Sequence, residues 1–479
     1  MNYVVNGRKP ESVFHYFEQI SAIPRGSFNE GGIADYLCAF AKERGLACHR
    51  DEANNVLIKA PASRGMEGSP ALLLQGHTDM VCEKNADVEH DFLRDPLSLY
   101  VEGNQLRARG TTLGADNGIA VAMMLALLDG ELDRHPALEC LFTTAEEVGL
   151  NGAHAFDYSL LDSRRMLNLD SEALGVVTAG CAGGLRSDLT LEYTPRSFAG
   201  ECVRVQIKGL MGGHSGENIN CGRANANKLM GRLLALLSET AETCIVSLSG
   251  GSKDNAIPRE CEALIAVPSA DAAIDLLTDA AEALAGEMGK DDCGFTVVCE
   301  CAEPAVEMLS AEDSRRAIAL LSVAQNGVIE MSRQVAGLVE FSRNLGVIRF
   351  ESGKITFVFS TRSSIEARLD AAIRELDLLA SLTGCKTRHH SRYPGWSYAA
   401  MSDIRDRYLA TYQAVTGSEA KVNVIHAGLE CGVIRSHVPD MDMISIGPDM
   451  KDIHSPNEAL DLDSVEKFWS VLAELIPAL

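Results

Sequence analysis

Five stretches of this sequence carry residues able to bind metal or move protons: His77 and Asp79 in ALLLQGHTD, Asp116 in GADNG, Glu146 and Glu147 in LECLFTTAEE, Asp170 in MLNLD, and His454 in DIHSPNE. Singly, each has an ordinary reading. A His after an apolar run is more often a satisfied core residue, an Asp before a helix is usually an N-cap, and adjacent Glu residues usually lie in solvent. Together they would bunch several carboxylates in one place, and buried carboxylates repel unless protonated or neutralised by cations. Two divalent metals would neutralise them, and a donor set of imidazole and carboxylate suits zinc.

Such a cluster needs elements that end at a common edge. Helical patterns at 11–20 and 30–45 alternate with short apolar or β-branched runs at 54–60, 71–76, 137–143 and 166–169. This predicts an α/β domain with a largely parallel sheet. Each candidate then falls at the carboxyl end of a strand or at a helix entry, where loops converge over a crevice. Asp116 to Leu128 reads as a buried crossover helix opened by Asp-Asn-Gly, with an almost unbroken apolar face.

From about 187 to 398 the texture changes to an α+β pattern, with strand-like runs at 203–208, 244–248, 264–267, 295–301, 346–350 and 355–359. Helical patterns at 223–238, 270–288, 312–324 and 364–382 separate them. The chain then returns to helix, a strand at 441–446, a Gly-Pro turn and a closing helix. The expectation is one domain built from 1–186 and 399–479, interrupted by an inserted domain at 187–398. His454 reaches the edge of the first sheet if the C-terminal segment joins it.

Composition narrows the partners. A formal net charge of -24 over 479 residues disfavours any sequence-independent grip on nucleic acid or an anionic membrane. The longest apolar run, Gly118 to Leu128, is about half a membrane span. The fourteen cysteines show no CxxC pair and read as reduced core residues, and MNYVVNGRKPESVFHYFEQI lacks the pattern of a secretion signal, so a cytoplasmic location is expected.

The stretches HTDM, ARGTTLGADNG, TTAEEVGLNGA, NLDSE, GCAGG, GLMGGHSG, NAIPRE, YPGW, HAGLECG and SIGPDMKDIHSPNE run in this order through nearly the whole chain. In sequence it closely resembles the aminoacyl-histidine dipeptidases, cytosolic non-specific dipeptidases related to carboxypeptidase G and dipeptidase V. The resemblance implies a zinc-peptidase-like catalytic domain, with a mostly parallel mixed sheet and helices on both faces, plus an inserted α+β lid. It implies two divalent ions, zinc first with cobalt or manganese as substitutes: one held by His77 and Asp170, the other by Glu147 and His454, with Asp116 bridging. It also implies a cis peptide between Asp116 and Asn117 and a homodimer.

By the same resemblance Asp79 orients His77, and Glu146 is the general base that activates water and hands its proton to the leaving amine. In an extended chain Glu146 would point away from Glu147, leaving one free for protons while the other binds metal. GLMGGHSG could be a tight turn, but relatives place its His214 over the reacting carbonyl, and Asn255, Arg362, Gly428 and Glu430 would hold the substrate ends. An Arg362 guanidinium matches a terminal carboxylate bidentately, and a surface salt bridge is its ordinary alternative. The enlarged insertion favours supply of His214 within one chain. The expected activity is dipeptide hydrolysis, against an N-acyl amino acid or carbamoyl amidohydrolase of the same architecture, or a non-catalytic binding protein.

Overall fold

The computed structural model describes residues 3–197, 200–304 and 307–479. The chain divides into two units, one of Met1–Cys181, Trp396–Val424 and Leu429–Leu479, the other of Ala182–Gly395 and Ile425–Gly428.

The first unit is built on an eight-stranded mixed sheet. At its centre Leu138–Thr143, Leu72–His77, Arg165–Asn168 and Asp442–Ser445 lie side by side and parallel. Leu72–His77 and Leu138–Thr143 are buried at every residue, as strands covered on both faces must be. Val56–Ala60 and Ala47–Arg50 extend one side antiparallel, while Val176–Cys181 and then Lys421–Ile425 extend the other.

Helix Ala115–Leu128 is buried at every position and packs on strand Leu72–His77 and helix Glu11–Ser21. Its sequence has no polar stripe, so burial on all sides is the arrangement that leaves no apolar face wet. Close approach requires Gly76, since a Cβ there would lie 2.4 Å from Asn117 Oδ1 and 2.8 Å from Ala120 Cβ. The helix does not open regularly at Asp116, as its pattern suggested. Asp116 and Asn117 hold non-helical angles, and the peptide between them is cis. A small four-stranded sheet, Met450–Lys451, Ala459–Asp461, Gln105–Ala108 and Leu99–Glu102, flanks the His454 turn, and the amphipathic helix Leu462–Ala478 closes the unit.

The second unit is an antiparallel sheet of nine strands. Alternate residues such as Val203, Val205 and Ile207, or Ile355, Phe357 and Phe359, share a core with helices Ala226–Thr240, Ala270–Ala285, Ala311–Val323 and Glu366–Thr383. Asn225, Ser269 and Ser310 cap three of these helices through their side chains. Three of its strands escaped the sequence reading. Gly183–Glu192 begins with the last two glycines of GCAGG, Gly327–Met331 is only five residues long, and Lys386–Tyr393 is polar along its length because it is an edge strand.

All fourteen cysteines are free, but Cys48, Cys82, Cys221, Cys293 and Cys301 are exposed, so the expectation of core cysteines holds for only part of the set. Among the described residues no helix is long and apolar enough to cross a membrane.

Candidate metal centre

Register explains why distant residues meet in the first unit. His77 stands opposite Thr143 and Gln75 opposite Asn168 in the parallel ladders, so these strands end together. The next residues on each chain, Glu146 and Glu147 after Thr143 and Asp170 after Asn168, emerge at that shared edge. Ser445 pairs with Asn168, which brings the strand leading to His454 to the same place.

Three groups of donors result, each with ligand atoms within 4.8 Å of one another: His77, Asp116 and Asp170; Asp116, Glu147 and His454; and His77, Glu146 and Glu147. Asp116 belongs to two of them. Its Oδ1 lies 3.1 Å from His77 Nε2 and its Oδ2 lies 3.1 Å from His454 Nε2. His454 Nε2 is also 3.0 Å from Glu147 Oε1, and His77 Nε2 is 3.5 Å from Asp170 Oδ1.

Asp79 is fully buried and does more than face His77. Its Oδ1 lies 3.3 Å from His77 Nδ1, and the carboxylate accepts the Ser27 hydroxyl and the backbone N–H groups of Glu146 and Glu147. One side chain therefore locks both an imidazole and the two-glutamate turn. That turn corrects the extended geometry expected for Glu146 and Glu147. Ala145 is left-handed at φ 48, and the Glu146 carbonyl accepts from Gly149 and Leu150, so the chain reverses and both carboxylates reach His77.

The electrostatics are those of a site built for cations. Burial, with the neighbouring Asp116 and Glu147 carboxylates, pushes Asp170 up to about 7. Burial raises Glu146 well above the usual carboxylate range, with Asp170, Glu430 and Glu147 adding to the rise. Hydrogen bonds to Asp116 and Glu147 lift His454 to about 11, and the carboxylates lift His77 against the opposing effect of its burial. Carboxyls raised like Asp170 and Glu146 hold protons until divalent cations replace them, and oxygen and imidazole donors of this kind fit zinc-type ions.

Glu430, expected to meet substrate through the backbone of its loop, turns its side chain into the fold. Its carboxylate is completely enclosed and accepts from Gln75 Nε2 and the Thr143 hydroxyl, while burial raises it to about 7. Asn168 in turn donates to Gln75 Oε1, completing a buried polar belt beneath the strand ends.

The other four expected residues belong to the second unit. Arg362 stands opposite Gly184 on one neighbouring strand, and Gly184 stands opposite Tyr393 on the next. With no side chain at Gly184, the Tyr393 phenol lies across it and accepts an Arg362 N–H at 3.0 Å. Arg362 Nη2 is 3.4 Å from His214 Nε2. His214 pairs with Ala256 in a two-residue ladder, and Ser215 N–H donates to the Asn255 carbonyl, so His214 and Asn255 are neighbours. Gly428 packs against the Tyr393 ring. Burial and the Arg362 charge push His214 below the usual histidine range and His426 down to about 3. His426, 2.7 Å from the Ser342 hydroxyl, and Tyr393 were not singled out from sequence; the only signals were their places in HAGLECG and YPGW.

Residues 73–478 match the model of peptidase family M20/M25/M40. The chain belongs to this family. It is 39% identical over 473 residues to the cytosol non-specific dipeptidase of Escherichia coli (strain K12), covering 98% of this chain and 97% of that one. The crystal structure of aminoacylhistidine dipeptidase from Vibrio alginolyticus matches with a TM-score of 0.93 and 39% identity, over 99% of this chain and 97% of that one. Aminopeptidase PepT from Bacillus cereus, at 13% identity and a TM-score of 0.57, shares the fold. Family membership together with donor groups that share Asp116 makes this M20 chain a metal-dependent peptidase with a dinuclear site.

Proposed function

We propose that the chain hydrolyses dipeptides in the cytosol, as a homodimer loaded with two zinc ions. One observation carries this reading: the Asp116 carboxylate presents one oxygen to His77 and the other to His454. A carboxylate so placed is suited to bridge, with His77 and Asp170 holding one ion and Glu147 and His454 the other. Such a pair of ions, when bound, polarises a carbonyl and makes water acidic at neutral pH.

The protein's own groups supply the proton path. Glu146 lies among the donors without being needed as a ligand, and its raised affinity for protons suits a base that takes one from the attacking water and returns it to the leaving amine. Asp79 holds the His77 ring and the Glu146–Glu147 turn in place. In the second unit, read as a lid over 187–398, His214 donates to the developing oxyanion. Asn255, Arg362 and Gly428 receive the substrate ends, with the Arg362 fork on the terminal carboxylate. The names of the two relatives at 39% identity support a dipeptide, including one with a C-terminal histidine, as substrate.

The test is a panel of Xaa-His, other dipeptides and N-acyl amino acids, assayed before and after chelation and with zinc, cobalt or manganese restored. Cleavage of dipeptides that chelator abolishes and metal restores is expected. Turnover in protein free of transition metal, or cleavage confined to N-acyl substrates, would overturn the reading.

A further inference from the structure

Two buried ionic side chains outside the donor set tie together the loops of His77, Asp116 and His454. Arg25 is 1% exposed, and its guanidinium donates to the carbonyls of Thr78, Asp79 and Gly114. It thereby joins the loop after His77 to the loop before Asp116. The fit is close, because a Cβ on Gly114 would lie 2.6 Å from a guanidinium nitrogen.

Glu458 is 3% exposed and makes the second join. Its carboxylate accepts the consecutive backbone N–H groups of Leu113, Gly114, Ala115 and Asp116, at 2.7, 3.0, 2.8 and 3.4 Å. These are the N–H groups at the start of helix Ala115–Leu128, which no helical carbonyl can satisfy. A carboxylate there meets both the orphan donors and the positive end of the helix. Glu458 also closes the turn that bears His454, since its own N–H donates to the Ser455 carbonyl. Only Ser455, Pro456 and Asn457 separate it from His454, so one side chain sets the distance between that turn and the Asp116 backbone.

We propose that Arg25 and Glu458 are positioning residues that set the Asp116 carboxylate between its two histidines, joining the loops of His77, Asp116 and His454 into one frame. The inference rests on the dinuclear reading above. Neither residue reaches a donor atom of the site; both act through the backbone that carries Asp116. Loss of either join loosens ligands of both ions at once, because both donor groups share Asp116.

The test measures cobalt binding by titration and by visible absorption, in the full chain and its variants. Wild-type protein is expected to take two cobalt ions per chain; failure to bind any would refute the dinuclear reading and this proposal with it, whereas two bound ions with unaltered variants would refute the proposal alone. Glu458→Gln keeps the shape but turns an amide nitrogen towards N–H donors, and Arg25→Lys keeps the charge but loses the fork. Each is expected to weaken cobalt affinity about 10- to 100-fold, the scale for groups that support metal ligands, and to change the cobalt band shape. Val471→Ala, a core change in helix Leu462–Ala478, controls for general destabilisation and is expected to leave affinity and spectrum unchanged. If Glu458→Gln does not fold, Glu458→Asp, which keeps the charge and withdraws the carboxylate by one methylene, carries the same expectation. Wild-type affinities and spectra in the folded variants, or equal weakening in Val471→Ala, would overturn the proposal.

Discussion

The two units carry clusters of opposite character. In the first, Asp116, Glu146, Glu147 and Asp170 crowd around two imidazoles at the ends of parallel strands. In the second, Arg362, His214, His426 and Tyr393 gather on an antiparallel sheet, with His214 and His426 held below the usual histidine range. An acidic cluster of buried oxygens is completed by cations, whereas a guanidinium beside neutral imidazoles offers hydrogen bonds to an anion or a developing oxyanion. On the function proposed above, the difference separates the chemistry of water activation from that of substrate capture.

The division is tested first by Glu146→Ala, which is expected to lower turnover by about 10²- to 10⁴-fold while metal content measured by elemental analysis persists. A near-normal rate would place the base elsewhere. His214→Ala comes next, with an expected loss of about 10²- to 10³-fold in turnover, the scale of one oxyanion donor. On the proposal that the histidine is supplied within one chain, mixing it with Glu146→Ala chains is expected to recover no activity; recovery would assign it to a partner subunit. Arg362→Lys is expected to lower kcat/KM for dipeptides about 10- to 100-fold, the range of a hydrogen bond to a charged group, and to spare metal binding. Loss of metal in that variant would erase the distinction between the clusters.

Two smaller effects concern the first unit alone. Gly76→Ala pushes a methyl into Asn117 and Ala120, so thermal or urea unfolding is expected to show about 1–3 kcal/mol of destabilisation. Glu430 is raised from 4.5 to about 7 by burial. The unfolded chain gives up this proton first, so folding loses stability as pH climbs from about 4.5 to 7. Glu430→Gln removes that dependence. In metal-free protein its Tm relative to wild type is expected to rise between pH 5 and pH 8, and a pH-independent difference would contradict the assigned cause.

Legibility in the sequence followed the same division. Strand ends such as GHTD and NLD announce themselves, because an apolar run stops at an acidic or imidazole residue, and parallel register then brings the stops together. The fold class and the family were readable in this way from patterns and ordered motifs. Tyr393 and His426 were harder, since their meaning depends on cross-strand partners and on a missing side chain at Gly184. The turn at Glu146 was hidden because Ala145 gives no hint of a left-handed residue. Arg25 and Glu458, although Glu458 ends the DIHSPNE stretch, were not singled out for another reason: they bind backbone, and backbone has no sequence signature.

Helix Ala115–Leu128 carries a consequence of a different kind. Its amides are shielded on every side, so hydrogen exchange along it can proceed only when the surrounding core opens. The segment is expected to be among the last in the chain to take up deuterium, over hours rather than seconds. Asp116 is attached to its first turn, and the residue shared by both donor groups is thereby moored to a part of the molecule that local fluctuations seldom reach.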